Sequence, residues 1–231
     1  MILKAKDIRK TFGPTIALDN AQVELKDGEV NALVGENGAG KSTILKAIAG
    51  VHSMDSGEIM IDGQKVDIHN TNDAIANGIS IVFQESTITP FITIAENIFI
   101  DRLHQYKKFG RGIDWKRINE DAQEILDSME SGIDVKTDIH ALNLGQWKLI
   151  EVARALSYHP KILLLDESTA FLNHNETVSF ISSVKKLRER GMAIGFVSHH
   201  MQEIYELADR ITVMRDGKFI VEMLREEVTQ E

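Results

Sequence analysis

The chain has 231 residues, 43% of them hydrophobic and 26% charged, the balance of one large globular domain or two small ones. It contains no cysteine, which excludes disulfides, thiolate zinc sites and cysteine nucleophiles. Thirty-five acidic residues against 26 basic ones give a net charge of −9, which argues against a broad basic surface for nucleic acid.

The first 30 residues, with IALDNAQVELKDGE, alternate in a way that predicts antiparallel strands at one edge of the fold. VNALV (30–34) reads as a buried strand and KSTILKAIAG (41–50) as a helix that stops at Gly50. ISIVF (79–83), ILLLD (162–166) and AIGFVS (193–198) are three further buried strands. ITVMRDGKFIVE (211–222) has the pattern of a hairpin turning at Asp216-Gly217. Strands that are apolar on both faces and separated by helices predict an α/β fold with a parallel sheet covered on two sides. The stretch 86–150 differs. WKRINEDAQEILDSME (115–130) places Ile118, Ala122, Ile125, Leu126 and Met129 at helical spacing, and no buried strand is evident there. The expected organisation is an α/β core over 1–85 and 151–231 with a helical subdomain inserted at 86–150. The opening MILKAKDIRK lacks the apolar run of a leader, and no window reaches the roughly 20 apolar residues that span a bilayer. The expectation is a soluble protein whose membrane role, if any, goes through a partner.

Between the first buried strand and its helix lies GENGAGKST: Gly35, Glu36, Asn37, Gly38, Ala39, Gly40, Lys41, Ser42 and Thr43. The spacing is that of a phosphate loop, in the strand–loop–helix context such a loop requires. Glycines let backbone N–H groups converge on an anion, and the helix turns its positive end to the same spot. Lys41 supplies a point charge to terminal phosphates and Ser42 a hydroxyl for Mg²⁺. KILLLDES (161–168) ends an apolar strand on Asp166 and Glu167. Alone, these acids fit a solvated turn equally well; beside a phosphate loop, Asp166 suits a Mg²⁺ partner and Glu167 a base that aligns water. FVSHH (196–200) repeats the strand-end placement, with His199 able to donate to a terminal phosphate or simply to start a helix in solvent.

Taken in order, these motifs resemble the ATP-binding subunit of an ABC transporter over the whole chain. The resemblance implies a P-loop NTPase fold of ABC type, with a mixed sheet, flanking helices, an antiparallel β edge and the helical insertion, together forming a single ATPase domain. Phe12 matches the aromatic that stacks on adenine, although by itself it fits a core phenylalanine. Residues 35–43 match Walker A, and Gln84 matches the Q-loop glutamine that senses Mg²⁺ and the membrane subunit. Leu142-Asn143-Leu144-Gly145-Gln146 matches the signature that closes on the opposite subunit's ATP. Asp166 and Glu167 match Walker B and the catalytic base, and His199 the switch histidine. The implied cofactors are ATP and Mg²⁺, the metal held by Ser42, Gln84 and Asp166. The implied partners are a second ABC ATPase domain in a head-to-tail dimer, integral membrane permease subunits and, indirectly, an extracytoplasmic solute-binding protein, with no nucleic acid; the implied location is the cytoplasmic face of the membrane. PFITIAENIF (90–99), FGRGIDWKR (109–117) and EIYELADRITVMRDGK (203–218) are similar to importers of ribose, galactose and xylose type. Soluble ABC ATPases of DNA repair or translation, and a regulatory module that no longer hydrolyses ATP, are the alternatives.

Three positions depart from the family pattern. Asn143 replaces the signature serine, Ser168 the proline after Walker B, and Asn173 the D-loop aspartate. The first and last serve the partner's nucleotide, whereas the residues facing this chain's own ATP are intact. An asymmetric pair is therefore expected, in which this chain is the first of two ATPase halves or a separate subunit of that kind.

Overall fold

The computed structural model describes residues 2–108 and 112–228. In chain order the elements are β1 (Leu3–Phe12), β2 (Thr15–Leu25), β3 (Val30–Val34), α1 (Lys41–Ile48), β4 (Ser56–Ile61), β5 (Gln64–Val66), α2 (Thr71–Ala76) and β6 (Ile79–Val82). Next come α3 (Ile94–Ile98), β7 (Lys107–Lys108), β8 (Gly112–Ile113), α4 (Trp115–Ser128) and α5 (Leu144–Leu156). The chain continues through β9 (Ile162–Asp166), α6 (His174–Glu189), β10 (Ala193–Val197), α7 (Met201–Leu207), β11 (Arg210–Arg215) and β12 (Lys218–Leu224).

Two compact units result. The first comprises residues 1–84, 160–170 and 187–231, the second 85–159 and 171–186. The first holds a six-stranded sheet in the order β12-β11-β3-β10-β9-β6 and a four-stranded sheet in the order β2-β1-β4-β5. From β11 to β6 all neighbours are parallel, and β12 adds antiparallel to the β11 edge through the turn at Asp216-Gly217. The second sheet is antiparallel throughout. Every residue of β9 and β10 is buried, as expected of strands covered on both faces. Leu33, Leu45, Ile48, Leu164 and Val197 join Leu3, Ile8, Leu18 and Ile59 of the antiparallel sheet in one apolar core.

The second unit is mostly helical. Ile118, Ala122 and Leu126 bury one face of α4, with Met129 just beyond it, as the spacing predicts. β7 and β8 add a two-residue antiparallel pair. Residues 109–111, at the head of the FGRGIDWKR stretch, lie outside the described residues. Residues 151–159 and 171–186 cluster with this helical unit, whereas the sequence division placed them in the core. A boundary at 150 would cut α5, which runs unbroken from Leu144 to Leu156, and a helix is a poor place to divide units because its hydrogen bonds cross any cut. Inside the unit, Glu151 accepts from Ser86 Oγ (3.0 Å) and the Thr87 amide (2.5 Å), while Lys148 Nζ lies 2.6 Å from its other oxygen. Buried Asn97 spans Thr89 and Thr93 with both ends of its amide. The Glu151 bonds pin the segment after Gln84 onto α5.

Candidate functional site

Four adjacent parallel strands, β3, β10, β9 and β6, end on the same side, and each is followed by a segment the sequence singles out. The phosphate loop follows β3, Ser198-His199 follow β10, Asp166 closes β9 with Glu167 next, and Gln84 lies two residues beyond β6. Parallel strands put all their carboxyl ends at one edge, so residues distant in sequence meet without any loop having to travel far.

The loop is built to leave amides available. Gly40 caps α1 at φ 94° with no side-chain cap for the first helical N–H groups. A Cβ there would come 2.7 Å from Leu18 Cδ2 and 2.9 Å from the Ala17 carbonyl, so only glycine fits this approach. Glu36, Asn37 and Gly38 are exposed, Ala39 is buried, and Ser42 and Thr43 are half-buried. Lys41 is only 5% exposed, and its Nζ donates to the carbonyls of Gly35 (2.8 Å) and Glu36 (3.0 Å). Burial holds this ammonium below its ordinary pKa, and the carboxylates of Glu167 and Asp166 push it partly back.

Asp166 is buried, with Oδ2 3.5 Å from Lys46 Nζ and Oδ1 without a hydrogen-bond partner among the described residues. An orphaned buried carboxylate oxygen at this edge is chemically suited to a hard cation or to water on one. Among the described residues no group of three or more His, Asp or Glu could hold a metal unaided. A cation here would need further oxygens from a ligand, which is how Mg²⁺ sits with nucleotides. The residues present fit Mg·ATP on both counts.

Glu167 takes φ 46°, a left-handed conformation uncommon for a residue with a Cβ. Its amide donates to the Val197 carbonyl at 3.0 Å, which ties it to β10. Its Oε1 lies 2.6 Å from His199 Nε2. Ser168 is buried, and its hydroxyl finds no partner among the described residues. Phe12 is 44% exposed, which rules out the core reading. Its ring meets His52 edge-on with centroids 5.1 Å apart, and Lys10 Nζ stands 5.2 Å from its centroid. An exposed, braced aromatic suits a stacking platform.

In the helical unit, Asn143 caps α5. Its Oδ1 accepts from the Gln146 amide (2.8 Å), and Gln146 Oε1 accepts from the Asn143 amide (3.1 Å). The amide expected to face a nucleotide thus has its oxygen committed to a capping box. Asn173 and Glu176 form the same reciprocal pair at the start of α6 (3.0 and 3.1 Å). Leu144 is exposed and Gly145 buried; a Cβ on Gly145 would stand 2.8 Å from Glu176 Cβ.

Sequence reasoning missed Lys46, Glu176 and Glu203. Thr169 Oγ1 and Ser198 Oγ each donate to Glu203 Oε2 at 2.6 Å. The Asn-x-x-Gln and Asn-x-x-Glu spacings were visible signals for two caps; nothing local in the sequence pairs Glu203 with Thr169.

A model of the ABC transporter family matches residues 18–170. A galactose/methyl galactoside import ATP-binding protein of Clostridium tetani is 41% identical over 221 residues, 95% of this chain and 44% of that protein. A ribose import ATP-binding protein of Caldanaerobacter subterraneus is 40% identical over 230 residues, 100% of this chain and 46% of that protein. The chain thus spans less than half the length of these curated relatives. The crystal structure of a nucleotide-free ATP-binding cassette from an ABC transporter superposes with a TM-score of 0.86 at 26% identity, covering 98% of this chain and 92% of that one. A dimeric cassette in a post-hydrolysis state, bound to ADP and Pi, gives 0.79 at 26% identity, covering 97% and 99%. Fold, motif order and sequence agree: the chain belongs to the ABC transporter family.

Proposed function

We propose that this chain is the ATP-binding and hydrolysing motor of an ABC importer, with a sugar as the solute. The observation that carries the reading is the pairing of Glu167 with His199 at 2.6 Å, at the strand edge that also bears Lys41 and Asp166. Relatives at about 40% identity bear names of galactose and ribose import proteins, which supports the sugar class.

Bound Mg·ATP would supply an electrophilic γ-phosphoryl group whose charge the metal offsets. Ser42, Gln84 and Asp166 would hold the metal. Lys41 exchanges its two loop carbonyls for phosphate oxygens, and the N–H groups of 35–43 take the rest of the anion. Phe12 stacks on the adenine. Glu167 aligns a water and accepts its proton, while His199 fixes the carboxylate and donates toward the γ-phosphate. Asn143, Leu144, Gly145 and Gln146 close on the nucleotide of a second ATPase domain packed head to tail. Permease subunits, fed by an extracytoplasmic binding protein, take up the motion through the helical unit, and the motor sits peripherally on the cytoplasmic face. No described helix is long and apolar enough to cross a membrane. The intact cis residues beside Asn143 and Asn173 favour an asymmetric pair hydrolysing mainly on this chain's Walker A.

The test is phosphate release by the chain purified with its partners. ATP-dependent release and co-purification with an integral membrane protein are expected. Binding of ATP without release, or co-purification with ribosomes or nucleic acid, would overturn the reading.

A further inference from the structure

Glu203 sits in the first turn of α7, is 7% exposed, and opens the stretch 203–218 without any role at the site assigned to it from sequence. Its Oε2 accepts two hydrogen bonds of 2.6 Å, from Thr169 Oγ1 and Ser198 Oγ. Thr169 is two residues after Glu167, and Ser198 immediately precedes His199. The Ser198 hydroxyl also accepts from the His200 amide at 3.0 Å, so the bond network continues past His199 on its other side. Thr169, Ser198 and Glu203 are all buried.

Two short bonds to one anionic oxygen are charge-assisted and strong, and burial shields them from water. The turn they hold carries Glu167 at φ 46°, a conformation that persists only where its surroundings enforce it. Without the clamp, the chain after β9 and the chain after β10 would be joined near their tips by the Glu167 amide bond to Val197 and by the Glu167–His199 contact itself. That contact ends on an exposed histidine, which solvent can draw away.

We propose that Glu203 is a positioning residue for hydrolysis. It ties Thr169 to Ser198 and so sets the distance between the Glu167 carboxylate and the His199 imidazole. The proposal rests on the hydrolytic reading of Glu167 and His199. It predicts that Glu203 governs turnover and leaves nucleotide affinity alone, because neither Glu203 nor its two hydroxyl partners touches the phosphate loop's amides or Phe12 in the contacts described above.

The experiment uses the full chain with Glu203→Ala, Glu203→Gln and the doubly substituted T169V/S198A, which removes both hydroxyls and keeps the carboxylate. ATP affinity, phosphate release and the ¹⁵N signal of His199 Nε2 are measured for each. For Glu203→Ala, ATP affinity is expected to be unchanged and turnover to fall on the order of tenfold or more, since misplacing a reacting group by about 1 Å can cost about 10²-fold. The Nε2 signal is expected to move toward that of a solvent-exposed imidazole. Glu203→Gln, which keeps an acceptor oxygen, recovers most of both. T169V/S198A reproduces the loss even if Glu203→Ala fails to fold. Wild-type turnover and an unmoved Nε2 signal in a folded Glu203→Ala or in T169V/S198A would overturn the proposal. Equal losses of affinity and turnover would also overturn it, by making the role one of stability alone. Failure of the hydrolytic reading would look different: Glu167→Gln would then leave phosphate release unchanged, while the Nε2 signal would still report whether Glu203 sets the contact.

Discussion

His199 Nε2 lies 2.6 Å from Glu167 Oε1, joining residues 32 positions apart across the ends of β9 and β10. The carboxylate therefore has a defined direction before any ligand arrives, which a general base needs if the water it aligns is to attack in line. Replacing Glu167 by Gln keeps the volume and removes the basic oxygen. Phosphate release is expected to fall by about 10²–10⁴ with ATP affinity retained, the range a positioned base contributes. His199→Ala should move turnover in the same direction. A Glu167→Gln protein that hydrolyses ATP at the normal rate would refute the assignment.

Phe12 offers a separate test because binding and folding are uncoupled there. The ring is exposed and touches His52 and Lys10 at its edge and face. Phe12→Ala should leave stability within about 0.5 kcal/mol, as is usual for exposed positions. Loss of stacking should weaken ATP binding by about 1–3 kcal/mol, the scale of aromatic–base contacts. Isothermal calorimetry against thermal unfolding separates the two effects; an affinity unchanged by the substitution would remove Phe12 from the site.

The parallel-sheet half was legible because its strands are short, apolar on both faces and followed directly by polar residues with strict chemical demands. Period and motif point to the same strand ends there, so Lys41, Asp166, Glu167 and His199 could be placed from sequence. The limits of the helical unit were less legible. α5 is buried on most sides, with Lys148 and Glu151 inside it, so its amphipathic pattern is weak and the break after 150 had no local cue. Glu203 was hidden for another reason: it joins Ser198 to Thr169, 34 residues away, and no periodicity reports such a pairing. Asn143 and Asn173 stand out in the sequence as departures at positions that serve the partner's nucleotide, yet the i, i+3 spacing to Gln146 and Glu176 already contains their capping role.

Ser168 stands where the family pattern has proline, and its buried hydroxyl is unpaired among the described residues. Removing an unsatisfied buried group relieves a desolvation cost of about 1–3 kcal/mol, offset in part by lost packing. Ser168→Ala is therefore expected to raise stability by about 1 kcal/mol, read from denaturant midpoints at unchanged slope. A lowered midpoint would show that the hydroxyl has a partner in solution.

Gly145 and Glu176 meet closely enough that the signature tolerates no side chain. An alanine Cβ would stand 2.8 Å from Glu176 Cβ and 3.0 Å from its Cγ. Either the start of α5 or the start of α6 must then shift, at a cost of about 1–3 kcal/mol for overpacking. Hydrogen exchange should localise the loss to the amides after Asn143 and Asn173, whose capping boxes the shift would loosen. Gly145→Ala with unaltered exchange at both helix starts would contradict the close fit.

Two phenols give the helical unit a pH signature of its own. Burial, followed by the bond from its hydroxyl to Asp121 Oδ2 at 2.8 Å, pushes Tyr106 up to about 12. Burial and then Asp101 push Tyr158 up to about 12. Each folded-state value exceeds the ordinary phenol pKa of about 10. Between about 10 and 12 the unfolded chain therefore holds fewer protons than the folded one, and stability falls as pH rises through that window. Below about 10 both phenols are protonated in either state, and the advantage is fully present. Tyr106→Phe deletes one of these groups, so the phenolate absorbance titration should lose amplitude near 12. The variant's unfolding midpoint should also depend less steeply on pH across the same window. Loss of amplitude near 10 instead would place Tyr106 in water, without Asp121.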